Sequence, residues 1–252
     1  MPEAVNIPLY LNWAFWTAVA AALALILSQL PPIHMLLRRA KLEMELYSRI
    51  HVTHKVGNPN VSFHLVLGNV GGRTIKIKGI TSRIKRDGKL VVILPAQNYF
   101  QNPNDTTTIL FTGISIKPKE EWAHIVNFLN YFSRADEKKY RDAESKLKAD
   151  IFKKRKTLEN KEDIAEAENE YTAPFLDMFK ENFLWNPGEY QIQVSVLAVP
   201  EKAGVEKNYH FTLFESDSEE LSKFQDDYKY GDGIFWNSGK HAGIIVQISE
   251  AS

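Results

Sequence analysis

The sequence predicts a mainly β protein: one apolar N-terminal helix, then a β-sandwich interrupted by a charged helical insertion. Three observations carry this. Residues 4–37 contain no Asp, Glu, Lys or Arg. The rest of the chain alternates apolar and polar residues in short runs separated by turn signals, the period-two pattern of half-buried strands. Between those runs, residues 134–171 hold eleven basic and eleven acidic residues with no Gly and no Pro.

The apolar core of the first segment runs from Leu9 to Leu30. A helix of that length spans roughly 33 Å, enough for a bilayer core. In lipid the backbone must satisfy its own hydrogen bonds, so a helix is required. Asn6 and Pro8 suit its start, and Pro31-Pro32 stops it. Tyr10, Trp13 and Trp16 crowd the N-terminal half, where amphipathic rings favour the headgroup level. A cleaved signal peptide fits poorly, because the N-terminal residues carry no basic charge and the double proline replaces a small-residue cleavage site. Arg38, Arg39 and Lys41 follow directly, which places the C-terminal side in the cytoplasm by the positive-inside bias and offers contacts to anionic lipid heads. Ala14, Ala18 and Ala22 recur every fourth residue, as do Ala20, Ala24 and Ser28. Such spacing lets a second membrane helix approach closely. The expected organisation is a tail over 1–8, a transmembrane helix over 9–30, a basic juxtamembrane segment over 31–41 and a sandwich over 42–252.

The strands follow in order. Leu42, Met44, Leu46, Ile50 and Val52 share one face of a long strand bent near Ser48. A turn at Gly57-Asn58-Pro59-Asn60 leads to a strand with Val61, Phe63, Leu65 and Leu67 inward. The glycine-rich stretch Gly68–Arg73 breaks the pattern, and Ile75, Ile77 and Ile80 resume it. Asp87-Gly88 is a hairpin signal, with Leu90 to Leu94 returning. Thr106 to Ile116 reads as a further strand element. Trp122 to Phe132 fits both periods, and its aromatic and β-branched content favours strand first, then helix.

The charged block predicts a helical insertion over 134–182. Glu144 with Lys148 and Asp150 with Lys154 have the i,i+4 spacing of an exposed helix. Tyr140, Leu147, Ile151, Leu158 and Ala165 give a thin apolar stripe, so the block is a solvated excursion or a docking arm. After Pro187-Gly188, Tyr190 to Ala198 alternate again, and Tyr209, Phe211 and Leu213 follow. Ser216 with Glu219 suggests a capping box for a short helix ended by Gly231. Ile244, Val246 and Ile248 make the last strand. The break at Asn69-Val70-Gly71-Gly72 and the strand opening Pro187-Gly188-Glu189-Tyr190 resemble those of small sandwich domains, which favours an immunoglobulin-like sandwich.

Chemistry is thinly signalled. Net charge is zero, with 31 basic and 31 acidic residues, which argues against a nucleic-acid binder. There is no cysteine, which fits a reducing compartment. Gly68–Thr74 lacks the spacing and the lysine of a phosphate loop. His51 and His54 fall on opposite faces of one strand and cannot share a metal. No catalytic, cofactor or metal residue is nominated. Tyr230, Phe235 and Trp236 flank Gly231-Asp232-Gly233 as candidate partner contacts, with burial in the core as the opposing reading. The expected function is a single-pass, membrane-anchored binding or scaffold protein making protein contacts at the cytoplasmic face, without enzymatic activity. The expected partners are the lipid bilayer and either a protein partner or a second copy of the chain. Alternatives are an accessory subunit of a membrane complex and, with reversed topology, an extracytoplasmic ligand-binding or adhesion module.

Overall fold

The computed structural model describes residues 13–29, 39–158 and 164–251. Helix α1 covers Trp13–Gln29, and no charged residue lies in it. Trp13, Trp16, Leu25 and Leu27 are exposed, as are Ala14, Ala18 and Ala22. Tyr10 and Arg38 lie outside the described residues. Among the described residues no helix is long and apolar enough to cross a membrane.

The body is mainly β. Its first long strand breaks at Tyr47-Ser48 into β1 (Leu42–Leu46) and β2 (Arg49–Lys55), both alongside β3 (Asn58–Asn69). The connecting turn lies earlier than the Gly57–Asn60 cluster suggested. Val56 and Gly57 both take positive φ (50° and 80°), so the chain reverses in two residues and Asn58 and Pro59 already belong to β3. Gly57 is required twice over, since a Cβ there would sit 2.7 Å from the carbonyl oxygen of Phe179.

Strands β4 (Ile75–Arg86) and β5 (Lys89–Phe100) form the hairpin signalled by Asp87-Gly88. The Thr106–Ile116 segment is less regular than expected: only β6 (Ile109–Leu110) and β7 (Ile114–Ile116) pair, on β5 and β4. Trp122 falls in β8 (Glu121–Leu129), which pairs along β3. Two helices follow, α2 (Arg134–Thr157) and α3 (Asn169–Asn182), before β9 (Gly188–Val199) and β10 (Val205–Leu213). Helix α4 (Glu215–Ser222) starts before Ser216, because Asp217 accepts a hydrogen bond from the Phe214 amide and caps the earlier turn. A 3-10 helix (Lys223–Tyr230) ends at Gly231, whose φ of 80° makes it the left-handed cap. The chain closes with β11 (Ile244–Gln247) and β12 (Ser249–Glu250).

Among the described residues all strand pairings are antiparallel, in a 12-stranded sheet ordered β11-β2-β3-β8-β5-β4-β9-β10-β12. β5 on one side and β11 with β12 on the other turn this order into a nearly closed sheet. β5 pairs β4 with its first half and, past an irregularity between Ala96 and Asn98, pairs β8 with its second. On the other side β11 pairs β2 and β12 pairs β10, with buried Ile248 between them. Strands that switch sheets are how a twisted sheet makes its corners. The core gathers Ile75, Ile77, Ile80 and Ile84 from β4, Ile192, Val194 and Val196 from β9, and Phe63, Leu65 and Phe128 from β3 and β8; alternation places those of β3, β8 and β9, and an irregularity between Ile77 and Gly79 re-aims the second half of β4. Phe63 and Phe128 stack at 4.5 Å.

Asn69 ends β3 and fastens the incoming chain. Its amide donates to the carbonyls of Arg73 and Ile116, each at 2.8 Å, and its oxygen accepts from Gly71 N–H. Gly71 and Gly72 in turn bond the backbone of Lys41 and Arg39. A Cβ on Gly71 would lie 2.5 Å from that backbone, so the glycine-rich stretch serves close chain packing rather than phosphate.

Candidate functional site

A cavity of about 470 Å³ lies between the end of β2 and the segment 224–242. Thr53 and His54 form one wall. Phe235, Trp236 and His241 form the other.

His54 is set by period two: β2 buries Ile50, Val52 and His54 on one face. Its Nδ1 accepts from Gly57 N–H, so Nε2 carries the proton and donates to Leu221 O at 2.9 Å. The ring packs against Phe179, Phe183 and Phe224. Burial among these rings disfavours the imidazolium. The bond to the Leu221 carbonyl opposes that, nearby His241 adds to it, and the pKa falls to about 4. His54 is therefore a neutral wall of the cavity with both nitrogens engaged. His51 faces the other way, to Ala242 O and Ser62 Oγ.

The segment 231–242 is held by its own polar side chains. Asp227 accepts from Lys240 Nζ at 2.6 Å and from His241 Nε2 at 2.5 Å. Burial works to raise its pKa, but the hydrogen bonds and charges of Lys240 and His241 outweigh that and hold it below the usual carboxylate range. Asp232 is buried and accepts from Ser238 Oγ and Ser238 N–H. Ligand atoms of Asp227, Asp232 and His241 lie within 4.8 Å of one another, a donor set a divalent cation could use. In this structure those donors are directed at Lys240, Ser238 and each other, so the group reads as an internal ion-pair network.

That network presents aromatics. Gly231 serves the helix end and also seats a ring, because a Cβ there would fall 2.1 Å from the Phe235 ring. Phe235 is half-buried, with Lys148 5.4 Å from its centroid and Phe152 beyond. Trp236 is 44% exposed, and its Nε1–H donates to Tyr230 O. Tyr230 points away: its hydroxyl donates to Glu166 beside Lys229. Of the three aromatics nominated from sequence, Phe235 and Trp236 line the cavity and Tyr230 ties the loop to the insertion. Tyr140 of α2 adds a hydrogen bond to Ile234 O at 2.7 Å.

Sequence reasoning missed His54, Asp227 and His241 as one cluster. The density of turn residues over Gly231–Gly239 was the available signal that this loop is structured.

No family model matches the chain, and no curated protein matches it. Among solved structures, a crystal structure of a protein from Archaeoglobus fulgidus is similar at 7% identity, over 70% of this chain and 98% of its own, with a TM-score of 0.26. At that score the likeness carries no argument.

Proposed function

We propose that the chain is a single-pass, membrane-anchored binding or scaffold protein. Its body is an immunoglobulin-like sandwich held at the cytoplasmic face, and it presents the Phe235–Trp236 loop to a protein partner. The observation that carries the anchor is α1: an uncharged helix with apolar side chains exposed on all sides, beside a body whose own core is complete. A helix apolar all round needs an apolar surrounding, and lipid supplies it. The described helix is roughly 26 Å long, close to a bilayer core, and the remainder of the apolar run lies outside the described residues.

Two features support the immunoglobulin-like description. β1/β2, β3, β8 and β5 are neighbours on one side and β4, β9 and β10 on the other, the strand relations of that fold. Tyr190, at the start of β9, donates its hydroxyl back to Leu184 O and Asn186 O, the tyrosine corner of such domains. The β4–β5 pairing and the β11/β12 closure are this chain's own additions.

Binding is favoured over catalysis because His54, Asp227 and His241 are engaged by hydrogen bonds within the chain, leaving the buried Tyr228 hydroxyl as the unpartnered polar group on the cavity wall, while an aromatic pair stands on a loop already held in place. Preorganised aromatics are what strong contacts use. An association through the anchor, as a homo-oligomer or accessory subunit, is the second reading. It rests on the exposed face of Ala14, Ala18 and Ala22.

The test uses the full chain in its native membranes. Alkaline washing should leave it in the membrane fraction. A photocrosslinking residue at Trp236 should give a discrete adduct that one at Lys223 does not. Release into the supernatant would overturn the anchor, and equal labelling at both positions would overturn the loop.

A further inference from the structure

We propose that the body has a second membrane contact of its own: the anchor-side end of the β4–β9 face, which rests on anionic lipid headgroups. This rests on the anchored reading above, and four observations point to it.

The first is a gradient along one sheet face. From the anchor side outward, the outward-facing residues of β9 are Val199, Leu197, Ser195, Gln193, Gln191 and Glu189. The two apolar ones come first, and Leu197 is 59% exposed. Beside them on β4 stand Lys76, opposite Val199, and Lys78, one residue before Gly79, which pairs with Leu197. Farther along, Glu206 accepts from Gln193 and Ser195, and the face becomes ordinary polar surface.

The second is unbalanced charge on a chain with no net charge. At this end Lys41 is paired with Glu43 and Lys117 with Glu120. Among the described residues, Arg39, Arg73, Lys76, Lys78 and Lys119 are all exposed and make no ion pair, against two such acids at this end, Glu121 and Glu201. Strand β4 contributes Lys76 and Lys78 at this end and no acidic residue, while its Arg83, Lys85 and Arg86 lie toward the other end, where Arg86 is paired with Asp87.

The third is the position of Lys119. It holds φ of 66° at the second corner of a turn closed by the Glu120 N–H to Lys117 O bond, where glycine or asparagine is favoured. A long cation is kept there at a conformational cost, next to Asn69 O.

The fourth is where the tether enters. Arg39 and Lys41 are fastened to Gly71 and Gly72, just before β4 begins. Nine residues, 30–38, separate this point from α1. Fully extended they reach roughly 35 Å, so the body stays close to the bilayer and this end meets it first. Tethering makes a surface contact intramolecular, so a patch too weak to bind alone becomes occupied. Basic side chains meet the anionic cytoplasmic leaflet, while Val199 and Leu197 sit among the headgroups.

Because the chain has no cysteine, single labels are available. Full-length Ser115→Cys reports the proposed face, since Ser115 is exposed opposite Lys76. Full-length Ser216→Cys reports the far end, where Leu213 pairs with Gly188. Each is labelled with a fluorophore and reconstituted into vesicles of phosphatidylcholine alone or with about one third phosphatidylserine, containing a headgroup-nitroxide lipid. Quenching at 115 should exceed that at 216 several-fold in the anionic vesicles and shrink at high salt. Lys76→Gln with Lys78→Gln should weaken the contact roughly 25-fold, at about five-fold per cation. Equal quenching at the two labels, or no change on the double substitution, overturns the proposal. Flotation separates it from the anchor. A chain that floats with both lipid mixtures but is quenched equally keeps the anchor and loses the face. One that floats only with anionic vesicles keeps the face and loses the anchor. One that floats with neither loses both.

Discussion

The molecule contains two apolar clusters of different make. The sheet core is built mainly from aliphatic side chains, with rings such as Phe63, Phe128, Trp185 and Tyr190 among them. The second cluster joins α2, α3 and the 3-10 helix to the turn at Val56. It is aromatic, with Tyr140, Phe175, Phe179 and Tyr228 at its centre. Around it lie hydroxyls, cations and carboxylates: Tyr140 to Ile234 O, Lys55 over the Tyr140 ring, and Lys154 with Asp150 and Glu168. A sheet buries every second residue for its whole length. A charged helix has only a narrow stripe to offer, so it needs large rings and polar ties to stay docked. The sheet is thus the frame, and the helical layer is held against it beside the aromatic loop.

Paired truncations would break this comparison most directly. Phe128→Ala in the sheet core and Phe175→Ala in the helical layer each remove a fully buried ring and should each cost about 3–5 kcal/mol. The consequences should differ. Phe128→Ala lowers the midpoint of the whole cooperative transition. Phe175→Ala raises amide exchange in residues 134–157 and 169–182 while β4 and β9 keep their protection. Uniform loss of protection in both variants would mean one cooperative unit.

His54 stands at the seam between the clusters, and acid should open that seam. Folded, it stays neutral down to about pH 4, against an ordinary value of 6.5. Between those values the unfolded chain binds the extra proton. Stability from this group is therefore complete above pH 6.5 and declines as pH falls toward 4, by roughly 3 kcal/mol in total. Denaturant titrations should show a flatter slope over this window in His54→Gln than in the parent.

Tyr190→Phe tests the side-chain tie at the start of β9. It leaves the Leu184 and Asn186 carbonyls without the hydroxyl and should cost about 1–2 kcal/mol, with the fold unchanged by circular dichroism. The smallest effect belongs to the surface of the helical layer. Arg141→Met breaks the exposed pair with Glu137 on α2, and exposed pairs contribute little. No shift in thermal midpoint beyond experimental error is expected, and a clear loss would mean that the helical layer is held by charge.

Legibility followed the same division. Alternation assigns the inward residues of β3 and β9, because a strand's burial is written every second position, while in β4 an irregularity between Ile77 and Gly79 shifts the inward set to Ile80 and Ile84. The Asp87-Gly88 hairpin and the helix end at Gly231 were readable for the same local reason. The turn at Val56-Gly57 was not, since a β-branched residue at positive φ is no signal in a sequence. It depends on the approach of α3 to Gly57. The cavity was also hidden. Its walls come from β2 and from a loop some 170 residues later in the chain, and the His54–Leu221 bond that marks their meeting spans 167 positions.

Local pattern, charge and turn chemistry thus established a strand-built body, a charged helical excursion and an uncharged N-terminal helix. These are properties of short windows, where spacing decides which side chains share a face. The folded chain alone decided how the sheet closes through β5 and Ile248, which histidine is walled in neutral, and which lysines gather beside Leu197 and Val199. Each of these depends on strands far apart in sequence becoming neighbours, and strand pairing is a long-range choice that no single window contains.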